Sequence, residues 1–268
     1  MAAQHRRTGR RADLSQHFLR SEALASDLIA NSSITGRDFV IEIGAGYGAL
    51  TARLAQRSQK VVAVEIDERL AGGLRDRFRD ESRIEVVQAD FLRFDLPSEP
   101  YKVFGNIPFG RTAEIIRRLV NAPVPPEDAY LIVQREAAER FAGGPYAHEN
   151  QTSLLLKPYW QIEILNRLRK SDFDPPPRVE SVLLWLSRRS RSLVDNPGYE
   201  GFITRAFGTG RTTIRQCLRG FLTARQTRRL ALDLRFDDSA PPSALSFDQW
   251  LGLYRYFNLS KHGGSRRR

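Results

Sequence analysis

The chain has 268 residues, a net charge of +11 and a single cysteine, Cys217. This length can bury one large hydrophobic core and a second, smaller one, and no apolar run is long enough to cross a bilayer. One cysteine excludes an internal disulfide framework and fits a reducing compartment, so we expect a cytoplasmic protein. The four histidines are scattered, so we expect no metal site.

The positive charge is concentrated at one end of the chain. From Ser187 onward there are 16 Lys and Arg residues against 6 Asp and Glu residues, whereas the preceding part is nearly neutral. A basic module next to a neutral one predicts an electrostatic grip on a polyanion such as nucleic acid. The alternative is a highly soluble, solvated surface.

The first two thirds of the chain alternate between strand and helix patterns. Residues 1–12 are Arg-rich and predict a disordered arm, followed by a short mixed segment and a helix over 21–31. Apolar runs predict strands at 39–43, 60–64, 84–88, 101–104 and 129–134, with helical patterns between them, including 68–79 and 112–120. Short loops between alternating elements predict a doubly wound parallel sheet. Strands at 161–165 and 181–186 lack a long intervening helix and predict an antiparallel edge, which makes seven strands.

Beyond residue 190 the pattern is helical throughout. We predict helices over 197–207, 211–219, 223–232 and 243–256. The predicted organisation is therefore an N-terminal arm (1–12), a Rossmann-like α/β domain (13–188), a small basic all-helical RNA-binding domain (189–260) and a basic disordered tail (261–268).

Several polar or glycine positions follow the predicted strands. Gly44, Gly46 and Gly48 open a helix after the first strand, where backbone can approach a ligand closely. Glu65 ends the second strand, where an acid binds ribose hydroxyls in nucleoside-binding sheets. Asp90 ends the third strand, and is either a ligand to an adenine amine or a turn cap. Because ligands bind at the carboxyl ends of parallel strands, we expect these residues and Asn106 to converge.

The same glycine spacing also satisfies a dinucleotide fingerprint, so an NAD-dependent oxidoreductase is an alternative. Hydride transfer would require a proton-transferring side chain such as His, Lys or Tyr near the substrate. The motif that ends the fourth strand contains none, which disfavours this alternative.

That motif, Asn106-Ile107-Pro108-Phe109, suits the binding of a flat, neutral amine. Asn106 can accept a hydrogen bond through its side-chain oxygen, and Pro108 biases Ile107 toward an extended backbone whose carbonyl is a second acceptor. Phe109 offers a face on which a base can stack. The alternative is an ordinary strand-to-helix turn.

Together these motifs resemble the rRNA adenine N6-methyltransferases, the family of the Erm macrolide-resistance methylases and the KsgA-type small-subunit dimethylases. The matching segments, in chain order, are 16–19, the glycines at 44, 46 and 48, Glu65, Asp90, 106–109 and the proline-rich segment 173–181. The N-I-P-F form and the Arg-rich ends are more similar to Erm than to KsgA. The family commonly has asparagine where His17 stands.

The resemblance implies a class I, Rossmann-like fold and the cofactor S-adenosylmethionine. It assigns cofactor contacts to His17, Leu19, Gly44, Gly46, Gly48, Glu65, Ile66, Asp90, Phe91 and Asn106. Glu65 would bind the ribose and Asp90 the adenine, while His17 and Leu19 would close a lid.

The resemblance also implies how the target base is held. The catalytic residues would be Asn106, Ile107, Pro108, Phe109 and Phe173, with the rings of Phe109 and Phe173 stacking on the two faces of an extruded adenine. We place Phe173 on a surface loop because three prolines and two aspartates surround it; the alternative is an aromatic residue of the core. Phosphate contacts are expected from Arg211, Arg215, Arg219, Arg225, Arg228 and Arg229.

The expected function is N6-methylation of an adenine in 23S rRNA, which would confer resistance to macrolides, lincosamides and streptogramin B. We expect a monomer that acts on protein-free or precursor 23S rRNA, with no membrane and no metal. The alternatives are a KsgA-type dimethyltransferase of 16S rRNA and a non-catalytic nucleic-acid-binding relative.

Overall fold

The computed structural model describes residues 17–194, 198–208 and 210–263. The expected arm (1–12), Gln16 and the last five residues of the expected tail lie outside this part of the chain. The chain divides into two compact units. The first comprises residues 1–135 and 165–184, and the second comprises residues 136–164 and 185–268.

The strands form a seven-stranded sheet and a small two-stranded sheet. They are β1 (Phe18–Leu19), β2 (Phe39–Ile43), β3 (Lys60–Glu65), β4 (Ile84–Gln88), β5 (Lys102–Asn106), β6 (Asp128–Gln134), β7 (Trp160–Leu168), β8 (Phe173–Asp174) and β9 (Ser181–Arg188). The large sheet has the order β4-β3-β2-β5-β6-β9-β7, and its pairs from β4 to β6 are parallel. The predicted doubly wound sheet is confirmed.

The edge formed by β9 and β7 is antiparallel, as the sequence predicts. The residue after β6, Arg135, donates its backbone N–H to the carbonyl of Glu180, just before β9. The residue after β9, Arg189, donates in the same way to the carbonyl of Tyr159, just before β7. In both pairs the end of one strand therefore lies beside the start of its neighbour.

The central strands are buried along nearly their whole length. Residues 129–133 of β6 are at most 1% exposed, and Val40, Ile41 and Ile43 of β2 are at most 2% exposed. Continuous apolar runs of this kind are expected where helices cover both faces of a parallel sheet.

Helices connect the strands and make up most of the second unit. They are α1 (Glu22–Ala30), α2 (Ala49–Arg57), α3 (Glu68–Arg77), α4 (Thr112–Val120), α5 (Arg135–Ala142), α6 (Gln151–Leu156), α7 (Gly198–Ala206), α8 (Ile214–Leu218), α9 (Ala224–Asp233) and α10 (Phe247–Gly263). Side-chain caps fix several starts: Ser21 accepts from the N–H of Leu24, and Thr223 from that of Gln226. None of the helices within the described residues is both long and apolar enough to cross a bilayer.

Two boundaries differ from those predicted. The α10 helix continues to Gly263, into the tail that we expected to be disordered, since no proline or glycine interrupts its last turns. The segment 136–164 clusters with the C-terminal helices, whereas the sequence placed the domain boundary near residue 188. Its Leu154, from α6, is fully buried in the second core, and the hydroxyl of Tyr199 donates to the Leu154 carbonyl at 3.1 Å.

A buried ionic network lies at the amino-terminal ends of β5 and β6. Lys102 is 8% exposed, and its Nζ donates to the carbonyl of Ser33 at 2.7 Å and to Asp38 Oδ2 at 3.1 Å. Asp128 Oδ2 lies 3.9 Å from the same Nζ. Burial raises the pKa of Asp38, but hydrogen bonds from Thr35 and Lys102 outweigh it, so the net pKa lies below its ordinary value.

We predict that Lys102→Met destabilises the protein at pH 7 by about 3–5 kcal/mol, because Asp38 and Asp128 lose their shared cation. Because the pKa of Asp38 is lowered on folding, its stabilising effect is present above about pH 4 and is lost as the pH falls through the folded-state pKa. Urea unfolding from pH 7 downward should therefore show the deficit of the variant shrinking with acidity.

The control is Lys60→Met, which removes an exposed ion pair with Glu85 (2.8 Å) and should cost about 1 kcal/mol or less. Equal losses in the two variants at pH 7 would contradict the assignment of a buried network.

Candidate active site

The glycine turn after β2 has a left-handed backbone. Gly44 and Gly46 have φ values of +70° and +58°, which only glycine adopts without strain. A Cβ on Gly46 would lie 2.8 Å from the ring of Phe18, so that ring rests directly on the turn. Gly48 has a φ of +82°, and a Cβ there would lie 2.8 Å from the side chains of Leu74 and Phe78, so the backbone conformation accounts for all three predicted glycines.

Glu65 connects this turn to the end of β3. Its carboxylate is 2% exposed and accepts from the N–H of Gly46 at 2.8 Å and from that of Asp67 at 2.9 Å. The predicted convergence of Glu65 with the glycine turn is present, and each carboxylate oxygen accepts one backbone N–H.

Two adjoining cavities open at the carboxyl ends of the central strands. The larger, of about 420 Å³, is lined by Ile43, Gly44, Val64, Ile66, Ala89, Asp90, Phe91, Leu92, Pro108, Arg111 and Ile115. The smaller, of about 310 Å³, is lined by Phe18, Leu19, Gly44, Ala45, Tyr47, Ala49, Leu50 and Asn106. Both include Gly44. Of the ten predicted cofactor residues, six thus line these cavities, and His17, Gly46, Gly48 and Glu65 lie outside their walls.

Asp90 contributes a carboxylate to the wall of the larger cavity. Its Oδ1 accepts from the N–H of Leu92 at 3.0 Å, which is the turn cap considered above, and Arg111 Nη1 lies 3.4 Å from its Oδ2. Arg111 also contacts Glu114 at 3.2 Å. Sequence reasoning missed Arg111, and its position five residues after Asn106 was the only signal that could have drawn attention to it.

The side chain of Asn106 has a defined orientation. Its Nδ2 donates to the backbone carbonyl of His17 at 2.5 Å. Because a carbonyl only accepts, the amide nitrogen must face His17 and the amide oxygen is left for another donor. Ile107 anchors the loop below: its side chain is buried and its N–H donates to the carbonyl of Ile132 at 3.3 Å.

Phe109 and Phe173 have different environments. Phe109 is half-buried and begins the turn before α4, with its ring 5.4 Å from the imidazole of His17. Phe173 is fully buried and pairs with Leu19 across the two-stranded sheet β1–β8. The prediction that Phe173 presents its ring on a surface loop is wrong, because the proline-rich segment pairs with residues 18–19 and turns this side chain inward.

Glu42, in the middle of β2, is a buried acid that the sequence analysis did not single out. It is 0% exposed, and neither carboxylate oxygen has a hydrogen-bond partner among the described residues. Burial raises the pKa of Glu42 to about 8; the neighbouring Thr51, whose hydroxyl makes no hydrogen bond of normal geometry to it, opposes the rise, and the nearby carboxylate of Glu65 adds to it. The sequence signal that could have identified Glu42 was its position as the one acidic residue in the otherwise apolar run 39–43.

The predicted RNA-binding arginines fall into two groups. Arg211 Nη1 donates to the carbonyls of Arg205 and Cys217 at 3.0 Å, and Arg215 forms a bidentate ion pair with Asp238 at 2.6 and 3.0 Å. Both side chains therefore have partners within the second unit. Arg219, Arg225, Arg228 and Arg229 form the second group, and all four are exposed; Arg229 Nε lies 3.7 Å from Asp233 Oδ2 one turn further along α9. The Arg215 side chain is also 56% exposed, although it is paired with Asp238.

In the described part of the chain, no three His, Cys, Asp or Glu side chains come together in a way that could hold a metal ion.

The sheet order, the glycine turn and the cleft at the strand ends define a class I methyltransferase fold. Structural comparison agrees: the 23S rRNA methyltransferase ErmE superposes with a TM-score of 0.84 at 29% identity, covering 90% of this chain and 99% of ErmE. The family model of the ribosomal RNA adenine dimethylases matches residues 7–259. The chain belongs to this family of rRNA adenine methyltransferases.

Curated relatives agree with this assignment. The ribosomal RNA small subunit methyltransferase A of Acidobacterium capsulatum is 37% identical over 215 residues, which cover 77% of this chain and 76% of the relative. The protein of the same name from Synechococcus sp. (strain JA-3-3Ab) is 34% identical over 250 residues, 89% of each chain. With the family shown, the oxidoreductase alternative is set aside.

We predict that Glu42→Gln removes a pH-dependent instability. An unfolded glutamate loses its proton near pH 4.3, whereas Glu42 in the folded protein keeps it to about pH 8. Between about pH 4.3 and pH 8 the folded state holds one more proton on this group than the unfolded state does. The contribution of Glu42 to the unfolding free energy of the wild type should therefore fall by about 1.4 kcal/mol per pH unit across this range and stay constant above pH 8. The variant should lack this slope in urea unfolding.

Glu85→Gln, which changes a half-exposed carboxylate on β4, serves as the control and should keep the wild-type slope. Parallel curves for wild type and Glu42→Gln between about pH 5 and 8 would show that Glu42 is not a buried neutral acid.

Proposed function

We propose that the protein transfers a methyl group from S-adenosylmethionine to N6 of an adenine in 23S rRNA, and so confers resistance to macrolides, lincosamides and streptogramin B. The observation that carries the proposal is the meeting of the Gly44 turn, Asp90 and the oriented amide of Asn106 around one cleft. The protein would act as a cytoplasmic monomer on protein-free or precursor rRNA.

The residues that line the cleft fit this cofactor. Ile66 and Phe91 line the same cavity as the Asp90 carboxylate, so it combines apolar surface with one acceptor, as an adenine ring with one amine requires. Gly44 lines both cavities. The buried Glu65 carboxylate, which accepts from the N–H of Gly46, would bind the ribose hydroxyls through the second lone pair of each oxygen. When bound, S-adenosylmethionine supplies an electrophilic methyl group on a positively charged sulfur.

The residues of the 106–109 motif would compensate for the low nucleophilicity of the adenine amine. The lone pair of the adenine amine is delocalised into its ring, which makes the amine a poor nucleophile. Acceptors at Asn106 Oδ1 and the Ile107 carbonyl would hold the two amine hydrogens, favour a pyramidal nitrogen and aim its lone pair. No strong base is needed, because the proton becomes acidic as the new bond forms. Most of the acceleration would come from alignment, for which about 7–11 kcal/mol is available.

The target base must leave its stack to reach the cleft. Phe109, half-buried next to the motif, offers one face for stacking, which is worth about 1–3 kcal/mol per base. The exposed arginines of the second unit would contact phosphates and add affinity with little sequence information.

The choice of 23S rRNA is supported by the likeness to ErmE over nearly the whole of both chains and by the N-I-P-F form of the motif. A second candidate is dimethylation of adenines in 16S rRNA. The higher identity to relatives named small subunit methyltransferases, 37% and 34%, favours it.

The experiment that tests the proposal is methylation of protein-free 23S and 16S rRNA by the purified protein with labelled cofactor, followed by primer extension. A stop at one 23S adenine, together with macrolide resistance on expression in a sensitive host, is the expected result. Incorporation into 16S rRNA alone would establish the second candidate. Incorporation into neither would indicate a non-catalytic relative.

We predict that Asn106→Ala lowers the methylation rate constant by about 10²–10³-fold, as expected for loss of one preorganised polar contact, while cofactor affinity changes little. Single-turnover kinetics and calorimetric cofactor titration measure the two quantities. Asn121→Ala, at the exposed C-cap of α4, is the matched control and should react at the wild-type rate. A loss of cofactor affinity as large as the loss of rate would contradict the role given to Asn106.

We predict that Arg225→Gln combined with Arg228→Gln weakens rRNA binding and lowers the slope of log affinity against log salt by about 1.4–1.8, since two phosphate contacts are lost. Filter binding over a salt series measures this slope. The control, Arg69→Gln combined with Arg75→Gln on α3, removes the same charge from exposed positions of the first unit. An equal change in slope for both pairs would mean that only net charge matters.

A further inference from the structure

His17 makes three contacts with the loops that surround the target-base side of the site. Its backbone carbonyl accepts from Asn106 Nδ2 at 2.5 Å. Its ring Nδ1 lies 2.7 Å from the carbonyl of Pro175 in the proline-rich segment. Its imidazole lies 5.4 Å from the ring of Phe109, with the two planes tilted by 31°. One residue therefore touches both the catalytic motif and the segment that follows Phe173.

The group that faces the His17 ring determines which ring nitrogen carries a hydrogen. The Pro175 carbonyl only accepts, so Nδ1 of His17 must carry a hydrogen. That hydrogen is present on a neutral ring of this tautomer and on a protonated ring alike, so the contact persists in both charge states. The imidazole is thus a donor to the proline-rich segment and a packing partner for Phe109.

The position of His17 is set by the backbone pairing that follows it. In the antiparallel β1–β8 pair, Phe18 faces Asp174 and Leu19 faces Phe173. Beyond it, the N–H of Arg20 donates to the carbonyl of Asp172 at 2.9 Å. His17 directly precedes this pair and contacts the catalytic motif at Asn106 and Phe109. The ring is not in the walls of either cavity, which are lined by its neighbours Phe18 and Leu19.

We propose that His17 is a positioning residue for the target adenine, and not the cofactor-lid residue that the sequence led us to expect. Its carbonyl turns the Asn106 amide oxygen toward the substrate amine, and its ring restricts Phe109, the stacking face. The Nδ1–H contact holds the proline-rich segment against the same motif. This inference rests on the proposed adenine N6-methylation and names the residue that prepares the site for the base.

Two variants separate the ring contact from the hydrogen bond. His17→Asn keeps a donor close to the position of Nδ1 but has no ring to pack on Phe109. His17→Phe keeps an aromatic ring but has no donor for Pro175. The control is His148→Ala, an exposed histidine of the second unit. All are assayed on the rRNA that the wild type methylates, with cofactor affinity measured by calorimetry.

Each variant should lower kcat/KM for rRNA by about 3- to 10-fold, with cofactor affinity unchanged, because each loses one contact on the base side. In a Phe109→Ala background, His17→Asn should have no further effect, whereas His17→Phe should keep its own. His148→Ala should behave as the wild type. Cofactor affinity falling in step with kcat/KM, or full additivity of His17→Asn with Phe109→Ala, would overturn the proposal.

A second measurement does not depend on activity. Long-range ¹H–¹⁵N correlation spectra of the wild type should show the His17 ring with its hydrogen on Nδ1. A neutral ring protonated only on Nε2 would overturn the proposal even if the variants lose activity. If the wild type methylates neither rRNA, the proposed function fails, and this spectrum still decides whether His17 ties the two segments.

Discussion

The parallel register of β2 with its two neighbours is the constraint on which the site depends. Ile43 pairs with Val64 on one side and with Gly105 on the other. The residues that follow these partners, Gly44, Glu65 and Asn106, therefore emerge at the same level of the sheet. Gly105 permits this register, because a Cβ there would lie 2.7 Å from the carbonyl oxygen of Ile43. The backbone pairing of the strands is thus sufficient to place these three residues next to one another.

Two buried acids next to the glycine turn differ in their hydrogen bonding. Glu65 accepts two backbone N–H groups and holds the turn against the end of β3. Glu42 has no hydrogen-bond partner among the described residues, and burial raises its pKa to about 8. The first carboxylate orders the cleft, whereas the second is kept neutral and makes stability depend on pH.

The segment 17–20 joins both sides of the cleft. Phe18 rests on the glycine turn, Leu19 pairs with Phe173, and His17 contacts Asn106 and Pro175. The glycine turn and the 106–109 motif are therefore linked through one short stretch of chain. This stretch lies some 150 residues from its β8 partner, so its pairing depends on the folded sheet.

The amino-acid sequence by itself determined the class of fold and the position of the cleft. Apolar runs marked the strands from 39–43 to 129–134, and the glycines, Asp90 and Asn106 stood at their ends, because these are local properties of period and composition. The same local signals supported a specific family resemblance. They could not show that α6 packs with the C-terminal helices, that Phe173 is turned inward, or that Arg211 and Arg215 are occupied by partners within the protein. Each of these depends on contacts between residues distant in sequence or on competition between solvent and an internal partner. Only the tertiary structure decides them, since burial and pairing are properties of the packed chain.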